Sequence, residues 1–146
     1  MPYTYQFPHP SVTADCVVFA RKEGRLHVLL VKRGREPFKN CWAFPGGFLE
    51  EDETIETCAR RELMEETGLM VDTLRQFKVY SDPLRDTSRE SRVLTVAFTA
   101  EIVMTEVSGQ DDAAEARWWP IDALPPLAFD HGMILAEVLE KTPIQE

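Results

Sequence analysis

One segment constrains this chain more than any other. From Thr54 to Thr67 the residues keep helical spacing, with Asp52 or Thr54 available as an N-cap and Gly68 as a C-terminal stop. On a wheel with Ile55 at the origin, Cys58, Ala59 and Leu63 complete an apolar arc that belongs against a core. At about 100° per residue, Glu62 and Glu66 fall roughly 20° either side of Ile55, and Glu65 lies at the edge of the arc. Arg60, Arg61 and Met64 point elsewhere. A helix whose acids only face solvent carries them opposite its apolar stripe; here they interrupt it. Carboxylates gathered on such an arc repel one another and resist desolvation, so something positive must compensate. An arginine would do it. So would a hard divalent cation, since Mg²⁺ takes a few carboxylates together with waters and substrate phosphates.

The same stretch carries a spaced pattern. Gly47 is followed after five residues by Glu53, and after seven more by Arg61-Glu62-Leu63, any residue, Glu65-Glu66, any residue, Gly68-Leu69. That pattern fills every specified position of the Nudix box, and on this ground the chain resembles the Nudix hydrolase superfamily. The resemblance implies an α/β (α+β) fold, a mixed β-sheet sandwiched between helices with the box forming loop, helix and loop, in a single domain over residues 1–146. It implies that Glu62, Glu65 and Glu66, with the backbone carbonyl of Gly46, hold catalytic Mg²⁺, for which Mn²⁺ is a substitute. Glu65 and Glu66 would thereby take part in catalysis. Gly47 and Gly68 would be structural, and Arg61 would pair with Glu53 to brace the box.

The implied reaction is hydrolysis of a phosphoanhydride, in which bound ions neutralise diphosphate oxygens and activate a water. The base for that water is, in this superfamily, either a box glutamate or an acid on a loop near the C-terminal part of the sheet. The run Asp111-Asp112-Ala-Ala-Glu115 lies where such a loop is expected. Glu115 is the candidate because it directly precedes a short expected strand, Ala116 to Trp119; the same acids would equally serve to keep a mobile loop soluble.

Outside the box the chain is similar to the ADP-ribose pyrophosphatase-like branch. The similarity rests on Pro83, on Asp82-Pro-Leu-Arg-Asp86 with Arg89, on Trp118-Trp119-Pro followed by Leu124-Pro-Pro-Leu-Ala-Phe129-Asp130-His131, and on Glu36-Pro-Phe38 with Trp42. Thr87 and Ser88 depart from the branch pattern. The branch implies a nucleoside diphosphate linked to another group, with ADP-ribose or a similar nucleotide sugar as substrate. Arg85 and Arg89 are candidates to clamp phosphate, because guanidinium forks suit it. Phe38, Trp42 or Trp118 are candidates to stack on a base, though aromatics of a small domain commonly belong to its core. His131 lacks a partner histidine at ligand spacing and reads as structural or substrate-adjacent, and Asp130 reads as a helix cap. Two other functions are open to such a fold: pyrophosphohydrolysis of nucleoside triphosphates, which shares the box but not the downstream loop, and non-catalytic sensing of nucleotide sugars in regulators that add a DNA-binding domain and often carry a degraded box. With the chain ending at Glu146, no such domain is expected.

Bulk properties agree. A length of 146 residues fits one hydrophobic core. A net charge of -9, from 16 Lys+Arg against 25 Asp+Glu, argues against non-specific binding to nucleic acid or anionic membrane. Cys16, Cys41 and Cys58 form no Cys-x-x-Cys pair, so free thiols in a reducing cytoplasm are expected rather than disulfides or structural zinc. The N-terminus carries no secretory pattern and no run is apolar for long enough to span a membrane. Oligomeric state is expected only by likeness to relatives that pair as homodimers. The coarse element reading is a hairpin of Val12–Ala20 and Leu26–Val31, the acidic helix, strands over Leu69–Tyr80 and Arg92–Val103, the short strand Ala116–Trp119, and a last helix about Asp130–Lys141 with Ile134, Leu135, Val138 and Leu139 as its stripe.

Overall fold

A computed structural model describes residues 3–85, 91–111 and 113–142. Strand β1 (Ser11–Lys22) is an apolar run buried on both faces, and turns through Glu23 and Gly24, both at positive φ, into β2 (Arg25–Arg33). Two short strands follow, β3 (Trp42–Ala43) and β4 (Gly46–Phe48), then α1 (Ile55–Thr67), β5 (Arg75–Tyr80), β6 (Val93–Glu101), β7 (Ala113–Pro120) and α2 (His131–Lys141). The sheet is mixed: β1 runs parallel to β6, and the other pairings are antiparallel.

Side chains of β1 alternate between two cores, as the strand period dictates. Ala14, Cys16 and Val18 pack with Phe98 against Cys58, Ala59 and Leu63 of α1. Val17 and Phe19 pack with Leu30, Trp42 and Phe44 against Ile134, Leu135 and Val138 of α2. The sheet is thus sandwiched between the two helices, as expected. All three cysteines are free, with Cys16 and Cys58 buried. No helix of the described residues is long and apolar enough to cross a membrane.

The pairing register explains where a cleft opens. Phe19 through Lys22 pair with Val28 through Arg25, but on the same edge of β1 residues Thr13 to Asp15 pair with β4 instead. On the same edge of β2, Val31 and Lys32 pair with β3. Strands β1 and β2 therefore splay apart beyond Phe19 and Val28, and the segment from Trp42 to Phe48 fills the wedge.

Two strands and one cap depart from the sequence reading. The expected strand from Leu69 to Tyr80 is only β5 (Arg75–Tyr80). β5 is an edge strand, largely exposed and bulged between Gln76 and Lys78, so no apolar alternation marks it; Leu69 and Val71 are buried from a loop instead. Strand β7 begins at Ala113 rather than Ala116. Asp130 precedes α2 but makes no side-chain capping hydrogen bond.

Candidate active site

Helix α1 starts where the Thr54 hydroxyl accepts the Thr57 N–H at 3.1 Å, and stops where Gly68, at φ 77, donates its N–H to Met64 O. These ends fix which residues face the wedge. Glu66 is 8% exposed, and its Oε1 accepts the Gly46 N–H at 2.8 Å. Burial, with Glu62, Asp15 and Asp111 nearby, pushes its carboxyl up to about 8. Burial also raises Glu62, against the pull of Arg61. β4 lies close to both neighbours: a Cβ on Gly46 would run into the Ala14 carbonyl and Asp15 carboxylate of β1, and one on Gly47 would meet the Glu62 carboxyl of α1.

Arg61, placed away from the apolar arc by the helical wheel, folds back over the box. Its Nη2 and Nε reach Glu53 at 2.7 and 2.9 Å, and its Nη1 reaches Glu62 at 2.7 Å and Glu65 at 3.2 Å. Hydrogen bonding to Arg61 lowers the Glu53 carboxyl to about 2. Arg61 also donates to the Phe48 carbonyl, tying helix to loop.

Of these residues, Gly46, Gly47, Phe48, Glu62 and Glu66 line a cleft of about 610 Å³ beside the segment that fills the wedge between β1 and β2, whereas Glu53, Arg61 and Glu65 are not among its lining residues. Glu62, Glu66, Asp15 and Asp111 make one side acidic, while Lys32, Arg33, Arg35 and Arg85 line it with cations. Phe129 and His131 close it toward α2. The loop before β7 is held to the end of α1 by Gln110 N–H to Glu66 O and Ser108 N–H to Thr67 O, which brings Asp111 to the cleft.

Several expected contacts fall elsewhere. Glu115 is exposed, lies inside β7 opposite Lys32, and is not on the cleft; the acid of that loop which lines it is Asp111. The reason is the earlier start of β7, which moves Glu115 into the strand. Trp42 is 7% exposed in the α2-side core, edge-on to Trp119, and offers no face to a base. Phe38 sits outside the cleft lining and packs edge-on against Phe129 at 4.9 Å. Arg85 lines the cleft, but its fork is engaged by Asp130 at 2.7 and 2.8 Å. Arg89 and Asp112 lie outside the described residues. Sequence reasoning missed Asp15, a buried acid whose signal was its place inside an apolar strand, and the cations of Lys32-Arg33-Gly34-Arg35.

The donors fit a hard cation in kind. They are oxygens only, and Glu66 is a desolvated carboxylate whose described side-chain hydrogen bond is to one amide. Arg61 donates to Glu62 and Glu65, and among the described residues no three His, Cys, Asp or Glu side chains are grouped as they would be around an ion.

Comparison with known proteins decides the family. The NUDIX domain matches residues 9–141. The chain belongs to the Nudix family. An ADP-ribose pyrophosphatase of Methanocaldococcus jannaschii is 39% identical over 131 residues, spanning 90% of this chain and 74% of that protein. The ADPR responsive transcriptional repressor NtrR of Acinetobacter baylyi is 34% identical over 92% of this chain, which spans 55% of the repressor. Among solved structures, the NUDIX domain of Shewanella oneidensis NrtR complexed with ADP ribose superposes with a TM-score of 0.85, at 30% identity, over 94% of this chain and 91% of that one. Nudix hydrolases generally need a divalent metal, and the box described above is this chain's Nudix box.

Proposed function

We propose that this Nudix protein hydrolyses the diphosphate of ADP-ribose or a similar nucleoside diphosphate sugar, with Mg²⁺ as its ion and Mn²⁺ as a substitute. The observation that carries the reading is the position of Glu66, a buried carboxylate held on the Gly46 amide at the acidic side of a cleft whose cations suit phosphate. The cleft volume is ordinary for a site that takes a small molecule. The 39% identical ADP-ribose pyrophosphatase and the NrtR domain complexed with ADP ribose support the substrate class.

In this reading Glu62, Glu65 and Glu66, with the Gly46 carbonyl, hold the ion or ions. When bound, they neutralise diphosphate oxygens and lower the pKa of a water. Arg61 and Glu53 keep α1 on the preceding loop, so the three glutamates stay in register. Lys32, Arg33 and Arg35 draw the phosphates into the wedge. A box glutamate or Asp111 takes the proton of the attacking water. The water oxygen bonds to one phosphorus, the bridging P–O bond breaks, and the products are two monophosphates, AMP and ribose 5-phosphate.

The test is a parallel assay of ADP-ribose, NADH, a diadenosine polyphosphate and 8-oxo-dGTP with Mg²⁺. NADH belongs there because NAD-capped RNA hydrolases of Vibrio are 30–32% identical to this chain, which spans about half their length. The expected result is the highest kcat/KM on ADP-ribose. A preference for the triphosphate overturns the substrate assignment, and full activity in Glu65→Gln overturns the metal placement.

A further inference from the structure

Every second amide from Trp42 to Gly46 is satisfied by a different device. Trp42 N–H donates to the Pro126 carbonyl at 3.0 Å, and the Trp42 carbonyl accepts the Ala128 N–H at 2.7 Å. That short parallel pairing ends as the chain turns into α2. Two residues on, Phe44 N–H meets a ring nitrogen instead, His131 Nδ1 at 3.1 Å. After two more, Gly46 N–H meets Glu66 Oε1. Phe44 is 2% exposed, so its amide needs a protein acceptor. Pro45 has no N–H, and its carbonyl is taken by the Cys16 N–H.

The Phe44 contact fixes the tautomer of His131. Nδ1 accepts, so the ring proton sits on Nε2, which faces Asp15 Oδ2 at 3.6 Å. The same Asp15 oxygen accepts the Thr95 hydroxyl at 2.6 Å. Asp15 and His131 are both buried, and the imidazole stacks on the Phe44 ring at 4.6 Å and 17°. Asp15 thus sits against the Nε2 side of the ring, and the ring holds the backbone that leads into Gly46.

We infer that His131, with Asp15 at its Nε2 side, is a positioning residue: it holds the Phe44–Gly46 segment in place so that Gly46 meets Glu66 and its carbonyl is presented to the bound ion. The inference builds on the ion placement proposed above, but not on the substrate. Its chemistry lies in one acceptor atom. Asparagine at position 131 places Oδ1 near where Nδ1 sits, whereas glutamine places its acceptor one atom further out.

The experiment compares His131→Asn with His131→Gln. It reads Mn²⁺ affinity by calorimetry without substrate, amide exchange at Phe44 and Gly46 by NMR, and kcat and KM on ADP-ribose. In His131→Gln, Mn²⁺ affinity and kcat are expected to fall by about tenfold or more, the scale of losing an outer partner of a metal site. KM should change little, and both amides should exchange faster. His131→Asn should recover most of each loss. Equal damage in both variants, or unchanged Mn²⁺ affinity and amide exchange in His131→Gln, overturns the inference. If the wild-type protein binds no Mn²⁺, the ion placement has failed, and the Gly46 exchange still decides whether His131 positions the segment. If it binds Mn²⁺ but leaves ADP-ribose intact, only the substrate assignment has failed.

Discussion

Arg85 and Asp130 form a two-pronged ion pair, Nε to Oδ2 at 2.8 Å and Nη2 to Oδ1 at 2.7 Å, with both side chains nearly buried. Arg85 also donates to the Val93 carbonyl. The pair ties the loop after β5 to the start of α2. Removing one partner leaves the other charge buried, so Arg85→Met should destabilise the fold by about 3 kcal/mol in urea titration. The double variant Arg85→Met/Asp130→Leu should lose clearly less than the two single losses summed. A large rise in KM for ADP-ribose without loss of stability would instead make Arg85 a phosphate clamp.

The Glu53–Arg61 contact predicts a limb of acid instability. Arg61 holds the folded Glu53 at about 2, below the usual glutamate value of about 4.3. A carboxyl lowered on folding contributes stability that is complete above its unfolded value and is lost as pH falls through the window toward 2. Urea midpoints measured downward from neutral pH should therefore drop through that window. Glu53→Gln should be less stable at neutral pH and show a flatter acid limb; an acid limb as steep as wild type would mean that other carboxyls carry it.

Gly47→Ala tests the packing of β4 on α1. Its new Cβ meets the Glu62 carboxyl, the movable end of a side chain, so the helix need not shift. The fold should survive, with a loss of about 1–3 kcal/mol typical of overpacking. Turnover should fall at least about tenfold if Glu62 ligates the ion as proposed, because a small misplacement of a ligating carboxylate is costly. Near wild-type kcat would show that Glu62 has freedom to spare.

Asp111 and Glu115 offer a direct contrast. Asp111 lines the cleft beside Glu62 and Glu66, while Glu115 faces solvent from β7. Glu115→Gln should leave kcat within about twofold, whereas Asp111→Asn should lower it by about 10²-fold if it takes the proton of the water. A bell-shaped pH profile that loses its acid limb in Asp111→Asn would assign the base; the reverse ranking would restore Glu115.

Helix α1 was legible because three local signals agree: its apolar period, the Thr54 cap and the Gly68 stop. Strands β1 and β2 were legible as apolar runs joined by a tight turn. Edge strand β5 was not, because a strand exposed to solvent and interrupted by a bulge needs no alternation. The register of β7 slipped by a few residues, and that alone moved the loop acid from Asp111 to Glu115. What the chain alone could not display was long-range pairing. Arg85 finds Asp130, and Phe44 finds His131, across wide separations, and Trp42 turns toward the core rather than the cleft. Each outcome depends on the wedge between β1 and β2, which no local pattern encodes.

In the proposed function, Glu66 and its neighbours on α1 hold a divalent ion against a diphosphate. Release of AMP from ADP-ribose, followed against Mg²⁺ concentration for wild type and Glu66→Gln, reads out this arrangement. No release is expected in chelator, with saturable activation by Mg²⁺ in wild type and a loss of at least about 10²-fold in the variant even at saturating ion. Cleavage that persists in chelator, or a Glu66→Gln protein with wild-type rate and Mg²⁺ dependence, would rule the arrangement out.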